Sequence, residues 1–192
     1  MSQETKPRGK ARTEHGILPG DLPKDKMLER FVRVDHAGEY GAVRIYEGQL
    51  SVLGKSDSAK IISEMADKER EHLEKFKTLV SDRRVRPTAL LPLWHAAGFA
   101  LGATTALMGE RAAMACTSAV EEVIEEHYAK QAEALGDDEA ELREVIEKFR
   151  DDELEHRDTA LEHEAELAPG YETLSMVIKK GSRLAIWLSE RV

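Results

Sequence analysis

Apolar side chains recur at the spacing of one helical face along most of this 192-residue chain. That pattern predicts amphipathic helices packed in a bundle. A chain of this length is expected to form one domain with a substantial core. The predicted fold class is therefore all-α, with a single domain over residues 25–192. Turn and capping residues divide it into helices at about 26–53, 58–81, 112–134, 139–167 and 171–191.

Residues 1–24 differ from the rest, because they are polar and contain several prolines and glycines. We predict a flexible N-terminal tail there, with Asp25 as the N-cap of the first helix. The tail lacks the apolar core of a signal peptide. In the first helix, Gly38, Gly41 and Gly48 each lower helix stability by about 1 kcal/mol relative to alanine. Such glycines indicate that a neighbouring helix or a substrate comes close.

The stretch from Pro87 to Gly109 contains no Asp, Glu, Lys or Arg. We call residues 87–111 the apolar crossover, because they join the first two predicted helices to the remainder. The stretch has the length of about 20 residues that a membrane span needs, but it is only mildly apolar. Three interpretations stay open: a buried helix of a soluble domain, a segment lying in the membrane interface, and a span. The flanking arginines and Trp94 favour the interfacial segment.

The last predicted helix, about 171–191, combines apolar and basic residues. Trp187 and Leu188 lie near its end, and Lys179 and Arg183 lie near its middle. A basic amphipathic helix with a tryptophan is typical of a segment that docks on a membrane surface. A helix that packs on the bundle would show a similar pattern, so both interpretations are kept.

Composition argues against several classes of protein. The net charge of −9 argues against a nucleic-acid binder, since such proteins neutralise phosphates with excess lysine and arginine. The single cysteine, Cys116, excludes an intramolecular disulfide and a four-cysteine metal site. We interpret it as a small core residue in a protein of a reducing compartment.

Two short motifs could carry chemistry, Glu69-x-x-His72 and Glu153-x-x-His156. Residues three apart lie on one face of a helix, so each motif presents a carboxylate beside an imidazole. With 26 glutamates and 7 histidines in 192 residues, about one such motif is expected by chance. The motifs alone are therefore also compatible with solvated helix faces, and their surroundings must decide.

A lone glutamate precedes each motif at nearly the same distance. Glu39 lies 30 residues before Glu69, and Glu121 lies 32 residues before Glu153. Short turns within each unit predict antiparallel helix pairs, and the apolar crossover would link the pairs, as in ferritin-like bundles. Spacing does not decide which glutamate of the third helix takes this role. The candidates are Glu121, Glu122, Glu125 and Glu126.

Four carboxylates and two imidazoles form a suitable ligand set for two divalent metal ions. Two of the acids can bridge the ions, and the set suits iron or manganese while leaving positions for dioxygen. Burying such side chains without a partner of opposite charge costs several kcal/mol each. If the acids face inward, a metal is therefore expected.

Four segments of the chain occur in the order that is characteristic of one enzyme family. They are Asp35-His36-Ala37-Gly38-Glu39-Tyr40-Gly41-Ala42, Glu69-Arg70-Glu71-His72, Ala119-Val120-Glu121-Glu122 with His127-Tyr128, and Phe149 to His156. These segments resemble the demethoxyubiquinone hydroxylase family, the Coq7-type enzymes of ubiquinone biosynthesis. The resemblance extends from about Met27 to the C-terminus, and none of the six expected ligands is missing.

The resemblance selects Glu121 as the third-helix ligand. It implies a ferritin-like four-helix bundle with additional apolar and amphipathic membrane-associated helices. The site would hold two iron ions of a monooxygenase that hydroxylates the ring of a demethoxylated polyprenyl benzoquinone, with O2 and NADH as co-substrates. No glycine-rich dinucleotide fingerprint is present, so NADH would use a shallow or substrate-shared site. The implied metal ligands are Glu39, Glu69, His72, Glu121, Glu153 and His156.

In the family's pattern, His127 and Tyr128 lie near the metals and the quinone. The six residues from Glu121 to His127 turn it about 120° away from the ligand face, so we expect His127 beside the ligands and not among them. Tyr128 could equally be an ordinary core residue. Asp35 and Asp152 are candidates for orienting ligand imidazoles through their second ring nitrogens.

The resemblance also implies partners and a location. We expect a peripheral or monotopic protein on the cytoplasmic face of a bacterial inner membrane or the matrix face of the mitochondrial one. A lipid-binding partner would deliver the quinone, and no nucleic acid would be bound. Oligomeric state, a homo-oligomer included, is open. Two other functions also stay open: a soluble ferritin-like oxidase or peroxidase, and a metal-free helical scaffold of a membrane complex.

Overall fold

The computed structural model describes residues 22–192, and this part of the chain is all-helical. The predicted tail lies outside the described residues, apart from its last three positions. The predicted all-α class is confirmed. Two short 3-10 helices, Asp137–Glu139 and Ala165–Leu167, lie in the turns on either side of the fifth α-helix. The α-helices are α1 (Lys24–Leu53), α2 (Ala59–Asp82), α3 (Leu91–Leu107), α4 (Glu110–Ala134), α5 (Ala140–Glu162) and α6 (Tyr171–Ser189).

Two pairs of consecutive helices form the centre of the bundle. α1 packs against α2 and α4 packs against α5, and a short connection joins the members of each pair. The two remaining helices add to this bundle, because α3 packs along α1 and α6 packs along α4. The indole of Trp94 on α3 donates a hydrogen bond to Ser189 on α6 at 3.0 Å, which joins the two added helices.

Apolar side chains form separate core clusters toward the two ends of the four central helices. Tyr46 and Ile62 belong to the first cluster, and Phe76 and Ile146 belong to the second. Along each of these helices, the predicted metal ligands fall between residues of the first cluster and residues of the second. The acids are therefore enclosed by apolar groups, where the dielectric constant is low and charge interactions are strong.

α1 and α3 approach each other almost to backbone contact. A Cβ atom on Gly102 would lie 1.9 Å from the carbonyl oxygen of Ile45, and one on Gly48 would lie 2.3 Å from that of Phe99. Only glycine leaves room for two backbones this close. The expectation that Gly48 marks a close neighbouring helix is confirmed.

Several predicted helix ends differ from the structure by a few residues. Pro23 and not Asp25 is the N-cap of α1. Asp25 lies in the first turn, where its negative charge interacts favourably with the helix dipole. α4 begins two residues early, directly after Gly109, whose φ of 113° suits glycine. α5 stops five residues early, because Glu164 takes a left-handed conformation with a φ of 61°.

The apolar crossover contains α3, a helix of 17 residues. Among the helices within residues 22–192, none is both long enough and apolar enough to cross a membrane. The spanning interpretation of the crossover is therefore not supported. Gly98 and Gly102 are buried against α1, whereas Leu93 and Leu107 are exposed. The crossover thus packs on the bundle with one face and presents apolar side chains on the other.

Candidate metal centre

Six acidic and imidazole side chains converge from the middle of the four central helices. Each of them is at most 3% exposed. The structure therefore brings together all six residues that were proposed as ligands. They are Glu39 on α1, Glu69 and His72 on α2, Glu121 on α4, and Glu153 and His156 on α5.

The structure distinguishes the four candidate glutamates of α4. Glu121 is buried among the other acids and imidazoles, which agrees with the choice implied by the family resemblance. The remaining three form ion pairs with lysine or arginine side chains nearer the surface. Glu122 pairs with Lys179 at 2.6 Å, Glu125 with Arg150 at 2.6 Å and Glu126 with Arg183 at 3.1 Å.

The six side chains form two overlapping groups of four. In each group, one potential ligand atom per residue lies within 4.8 Å of the others. Glu69 and Glu153 belong to both groups, so their carboxylates are suited to bridging two metal ions. Each group adds one glutamate and one histidine of its own. The groups are Glu39, Glu69, His72 and Glu153, and Glu69, Glu121, Glu153 and His156.

Both imidazoles direct their Nδ1 atoms toward the acids. His72 Nδ1 lies 3.3 Å from Glu153 Oε1 and 3.5 Å from Glu39 Oε2, and His156 Nδ1 lies 2.9 Å from Glu69 Oε1. Both carboxylate oxygens of Glu69 and of Glu153 are buried without a hydrogen bond, as are both Nδ1 atoms. Buried polar atoms without partners are costly. Divalent cations between these atoms would remove that cost, so the residues fit a two-metal site.

The pKa shifts in this cluster also fit a cation site. Burial raises the pKa of Glu69 and Glu121 well above the usual carboxyl value, and repulsion from Glu153 raises it further. Burial opposes a charge on His72, but its contacts with the carboxylates outweigh burial and raise its pKa to about 12. The same balance raises the pKa of His156 to about 9. The raised pKa values favour the protonated forms of these groups, and a bound divalent ion would displace those protons.

Two buried tyrosines contact the glutamates that the two groups do not share. Tyr128 Oη donates a hydrogen bond to Glu39 Oε1, and Tyr46 Oη donates one to Glu121 Oε1 at 2.8 Å. Tyr128 therefore lies beside the proposed ligands, and it also stacks on Phe76 in the core. Tyr46 did not stand out in the sequence analysis. Its spacing could have revealed it, because Tyr46 follows Glu39 by seven residues, as Tyr128 follows Glu121.

His127 belongs to neither group of potential ligands. Its Nε2 is 3.4 Å from Asp35 Oδ1, and Gln131 Nε2 donates a hydrogen bond to the same oxygen at 2.7 Å. Asp35 therefore contacts His127 and orients no proposed ligand, so that part of the prediction is wrong. Asp152 does contact a proposed ligand, because its Oδ2 lies 3.1 Å from His72 Nε2.

An apolar cavity of about 330 Å³ lies between α1, α3, α4 and α6. Gly38 and Gly41 line it, and a Cβ atom on either would meet no atom within 4 Å. These two glycines therefore leave space for a ligand and do not accommodate a neighbouring helix. Gly38 directly precedes Glu39 in the chain, so the cavity adjoins a helix that carries one of the acids. Other lining residues include Val34, Trp94, Leu101, Val120 and Ile186.

A helical bundle that buries four carboxylates and two imidazoles belongs to the class of proteins that could hold two metal ions between their helices. The comparison with protein families defines the chain more closely. A family model described as "Ubiquinone biosynthesis protein COQ7" matches residues 26–189, and the chain belongs to this COQ7 family. The family inferred from the sequence motifs is confirmed.

Individual relatives agree with this assignment. The 3-demethoxyubiquinol 3-hydroxylase of Rhodospirillum rubrum is 55% identical over 182 residues, which cover 94% of this chain and 86% of that protein. The NADPH-dependent 3-demethoxyubiquinone 3-hydroxylase, mitochondrial, of Homo sapiens is 54% identical over 169 residues, covering 86% and 78%. The 5-demethoxyubiquinone hydroxylase, mitochondrial, of Saccharomyces cerevisiae is 42% identical over 183 residues, also covering 86% and 78%. The name of the Homo sapiens protein specifies NADPH, whereas the co-substrate implied by the family resemblance is NADH.

Proposed function

We propose that this chain is a hydroxylase of ubiquinone biosynthesis that adds a hydroxyl group to the ring of a demethoxylated polyprenyl quinone. The proposal is carried by the two overlapping groups of ligands that share Glu69 and Glu153 and are buried near an apolar cavity. Relatives at 42% to 55% identity have names that specify hydroxylation of demethoxyubiquinone or its quinol. The proposed architecture is a ferritin-like four-helix bundle, α1, α2, α4 and α5, with α3 and α6 added.

The six ligands would hold two iron ions. Carboxylate and imidazole ligands suit iron and leave positions for dioxygen. When bound, the irons supply the activation of O2 that inserts one oxygen atom into a ring C–H bond. The overall reaction consumes the quinone, O2, a proton and NADH or NADPH, and it releases the hydroxylated ring, water and the oxidised nucleotide. Glu69 and Glu153 would be shared, with Glu39 and His72 on one ion and Glu121 and His156 on the other.

The surrounding residues prepare the site for this chemistry. Tyr46 orients Glu121, and Tyr128 orients Glu39, through hydrogen bonds from their hydroxyl groups. The apolar clusters on both sides of the ligands exclude water. A dry site strengthens the electrostatic interactions within it and prevents side reactions with solvent.

The apolar cavity is the proposed binding site for the quinone ring and the first part of its tail. Its volume of about 330 Å³ lies at the lower end of the ~300–1,000 Å³ usual for small-molecule sites. Among the described residues that line it, none is charged, which suits an aromatic-sized ring that carries an isoprenoid chain. The remainder of a long tail would stay in the bilayer.

We further propose that the protein docks on a membrane surface, since its substrate would be a membrane lipid. Lys180 on α6 and Arg191, two residues after the end of α6, are basic residues that suit anionic headgroups. By analogy with relatives named as mitochondrial, the surface would be the matrix face of the mitochondrial inner membrane or the cytoplasmic face of a bacterial one. A lipid-binding partner that delivers the quinone is proposed from the family resemblance. The exposed apolar residues that support docking are Leu93, Leu107, Met176, Val177, Leu184 and Trp187.

Reconstitution tests the proposed reaction. Protein loaded anaerobically with Fe(II) is given a demethoxylated quinone, NADH or NADPH, and isotopically labelled O2. We expect a product with one labelled oxygen on the ring, detected by mass spectrometry. Glu69→Ala and Glu153→Ala, which remove the acids shared by both groups, should lose both bound iron and product. Glu71→Ala should keep both, because Glu71 is exposed in the same helical turn as Glu69.

The alternative functions predict other results. Iron-loaded protein that consumes peroxide but leaves the quinone unchanged would support a ferritin-like oxidase or peroxidase. Protein that binds no iron under anaerobic conditions would support the helical scaffold. Either result would contradict the proposed hydroxylase.

A further inference from the structure

The two Glu-x-x-His motifs differ in what their histidines contact on the side away from the acids. His72 Nε2 lies 3.1 Å from Asp152 Oδ2. His156 Nε2 is also buried, but it has no hydrogen-bond partner within the described residues. Both rings direct Nδ1 toward the carboxylates, so the difference is confined to the outer nitrogens.

A single pair of residues explains this difference. Asp152 directly precedes Glu153, and the corresponding residue before Glu69 is Lys68. An ammonium group has no lone pair to accept a hydrogen bond from His156. Lys68 Nζ instead contacts Asp152 Oδ1 at 2.7 Å. The internal repeat of the chain is therefore broken at the position where the second histidine would find its acceptor.

Other contacts around the ligands do not cancel this asymmetry. The hydrogen bonds of Tyr46 and Tyr128 are alike on the two sides, since each tyrosine holds one unshared glutamate. The ring of His72 stacks on Phe149 at 3.8 Å between centroids, whereas the ring of His156 meets Tyr46 only edge-on at 6.3 Å. The residue four positions before Glu69 is Met65, where the other motif has Phe149. His72 is therefore held by both an acceptor and an aromatic ring.

A carboxylate that accepts from the outer nitrogen of a ligand histidine fixes the ring and makes it a stronger ligand, and its loss typically lowers metal affinity by roughly 10–100-fold. We infer that Asp152, positioned by Lys68, makes the two metal positions unequal, so that the position of Glu39 and His72 binds first and more tightly. The position of Glu121 and His156 then binds second. This inference rests on the proposed two-metal site and adds an order of occupation to it.

The unequal positions have a consequence for the purified protein. The ion at the Glu121 and His156 position would be lost first during dilution or mild chelation. A form with one ion per chain would result, and it would retain the Glu69 and Glu153 carboxylates at the remaining position. Asp152 and Lys68 are positioning residues, because they act through His72 and neither lines the apolar cavity proposed for the quinone.

Stepwise metal titration tests the inference without measuring activity. Metal-free protein is titrated with Co(II) under nitrogen, and the hyperfine-shifted ring signals of the two histidines are followed by NMR. The His72→Ala and His156→Ala variants assign the signals. We expect the His72 signals to appear during the first equivalent and the His156 signals during the second, with dissociation constants that differ by roughly 10-fold or more.

Variants at the asymmetric pair sharpen the test. Asp152→Asn keeps the shape of the acceptor but removes its charge, and it should weaken the first equivalent and bring the two dissociation constants together. Glu155→Gln is the matched control. Glu155 accepts a hydrogen bond from Lys68 at 3.2 Å, as Asp152 does, but no described hydrogen bond joins it to His72 or His156. This control should leave the order and both constants unchanged.

A charge exchange provides the strongest form of the test. The double variant Lys68→Asp with Asp152→Lys should reverse the order, so that the His156 signals appear first. Equal filling of both positions in the unmodified protein, or two dissociation constants that Asp152→Asn does not bring closer together, would overturn the inference while leaving the two-metal proposal intact. If the double variant does not fold, Asp152→Asn decides alone. Failure to bind any Co(II) would overturn the two-metal proposal itself.

Discussion

Tyr46 on α1 donates a hydrogen bond to Glu121 on α4 across 2.8 Å. The reverse contact is also present, because Tyr128 on α4 donates to Glu39 on α1. Each tyrosine follows the glutamate of its own helix by seven residues, which is about two helical turns. Each helix therefore holds the unshared acid of the other. These crossed contacts connect the two helix pairs at the candidate metal centre.

Replacing Tyr46 by phenylalanine tests the structural contribution of these contacts. Glu121 Oε1 would lose its donor, so we expect the metal-free protein to lose about 1–3 kcal/mol of unfolding free energy. Tyr40→Phe is the matched control, because the Tyr40 hydroxyl contacts His95 at the surface, and its effect should stay within about 0.5 kcal/mol. Urea denaturation measures both variants. If both variants lose the same free energy of unfolding, the buried hydrogen bond stabilises the protein no more than the surface contact does.

The shared and unshared glutamates should differ in their effect on metal content. Glu69 belongs to both groups of ligands, whereas Glu121 belongs to one. We expect Glu69→Ala to abolish binding of both ions and Glu121→Ala to retain about one of about two ions per chain. Metal analysis after equilibrium with Co(II) and gel filtration measures this. Retention of both ions by Glu69→Ala would contradict the bridging arrangement.

The stability of the metal-free protein should fall as the pH rises from 6.5 to 9. Contacts with carboxylates raise the pKa of His156 from 6.5 to about 9 despite burial, so the stabilisation from its charged form is complete below pH 6.5 and is lost as the pH approaches 9. His72, with a pKa of about 12, acts in the same direction. Urea midpoints measured with a chelator at several pH values test this prediction.

Metal-loaded protein provides the control for this pH dependence. Metal ions replace the protons on the ligands, so protein saturated with Co(II) should not show the same decrease between pH 6.5 and 9. Parallel decreases in the presence and absence of metal would indicate that the slope comes from groups outside the candidate centre.

Close packing of α1 and α3 should make Gly102 intolerant of a side chain. A Cβ atom there would lie 1.9 Å from the backbone of Ile45, so Gly102→Ala must push the helices apart and should cost about 1–3 kcal/mol or more. Gly41→Ala is the control, since a Cβ atom there meets nothing within 4 Å, and alanine should stabilise the helix by up to about 1 kcal/mol. Thermal denaturation distinguishes the two, and a stable Gly102→Ala would disprove the close contact.

Exposed apolar residues of α6 should determine binding to lipid. Leu184 and Trp187 are each at least half exposed, and burying two such side chains in a membrane interface is worth about 3 kcal/mol or more. The double change to glutamine should therefore weaken binding to anionic liposomes by more than about tenfold, with metal content unchanged. Val52→Gln, at an exposed apolar position on α1, serves as the control. Unchanged co-sedimentation with liposomes would contradict the docking proposal.

The sequence by itself determined the elements of this protein. The 3.6-residue repeat relates residues on one helix, so apolar spacing predicted the all-α class and the five amphipathic helices. The same repeat placed Glu69 beside His72 and Glu153 beside His156. Similarity of four segments to a known family then selected Glu121 from its neighbours. All of these conclusions depend on relations within single helices or on matched segments.

Only the tertiary structure decided which groups meet between helices. It made Glu69 and Glu153 the shared acids, and it brought Asp152 to His72 while Asp35 went to His127. Such contacts depend on how far each helix is rotated and displaced along its axis relative to its neighbours. A pattern within one helix carries no record of that rotation, because the same face can meet several partners until the cores of all the helices pack together.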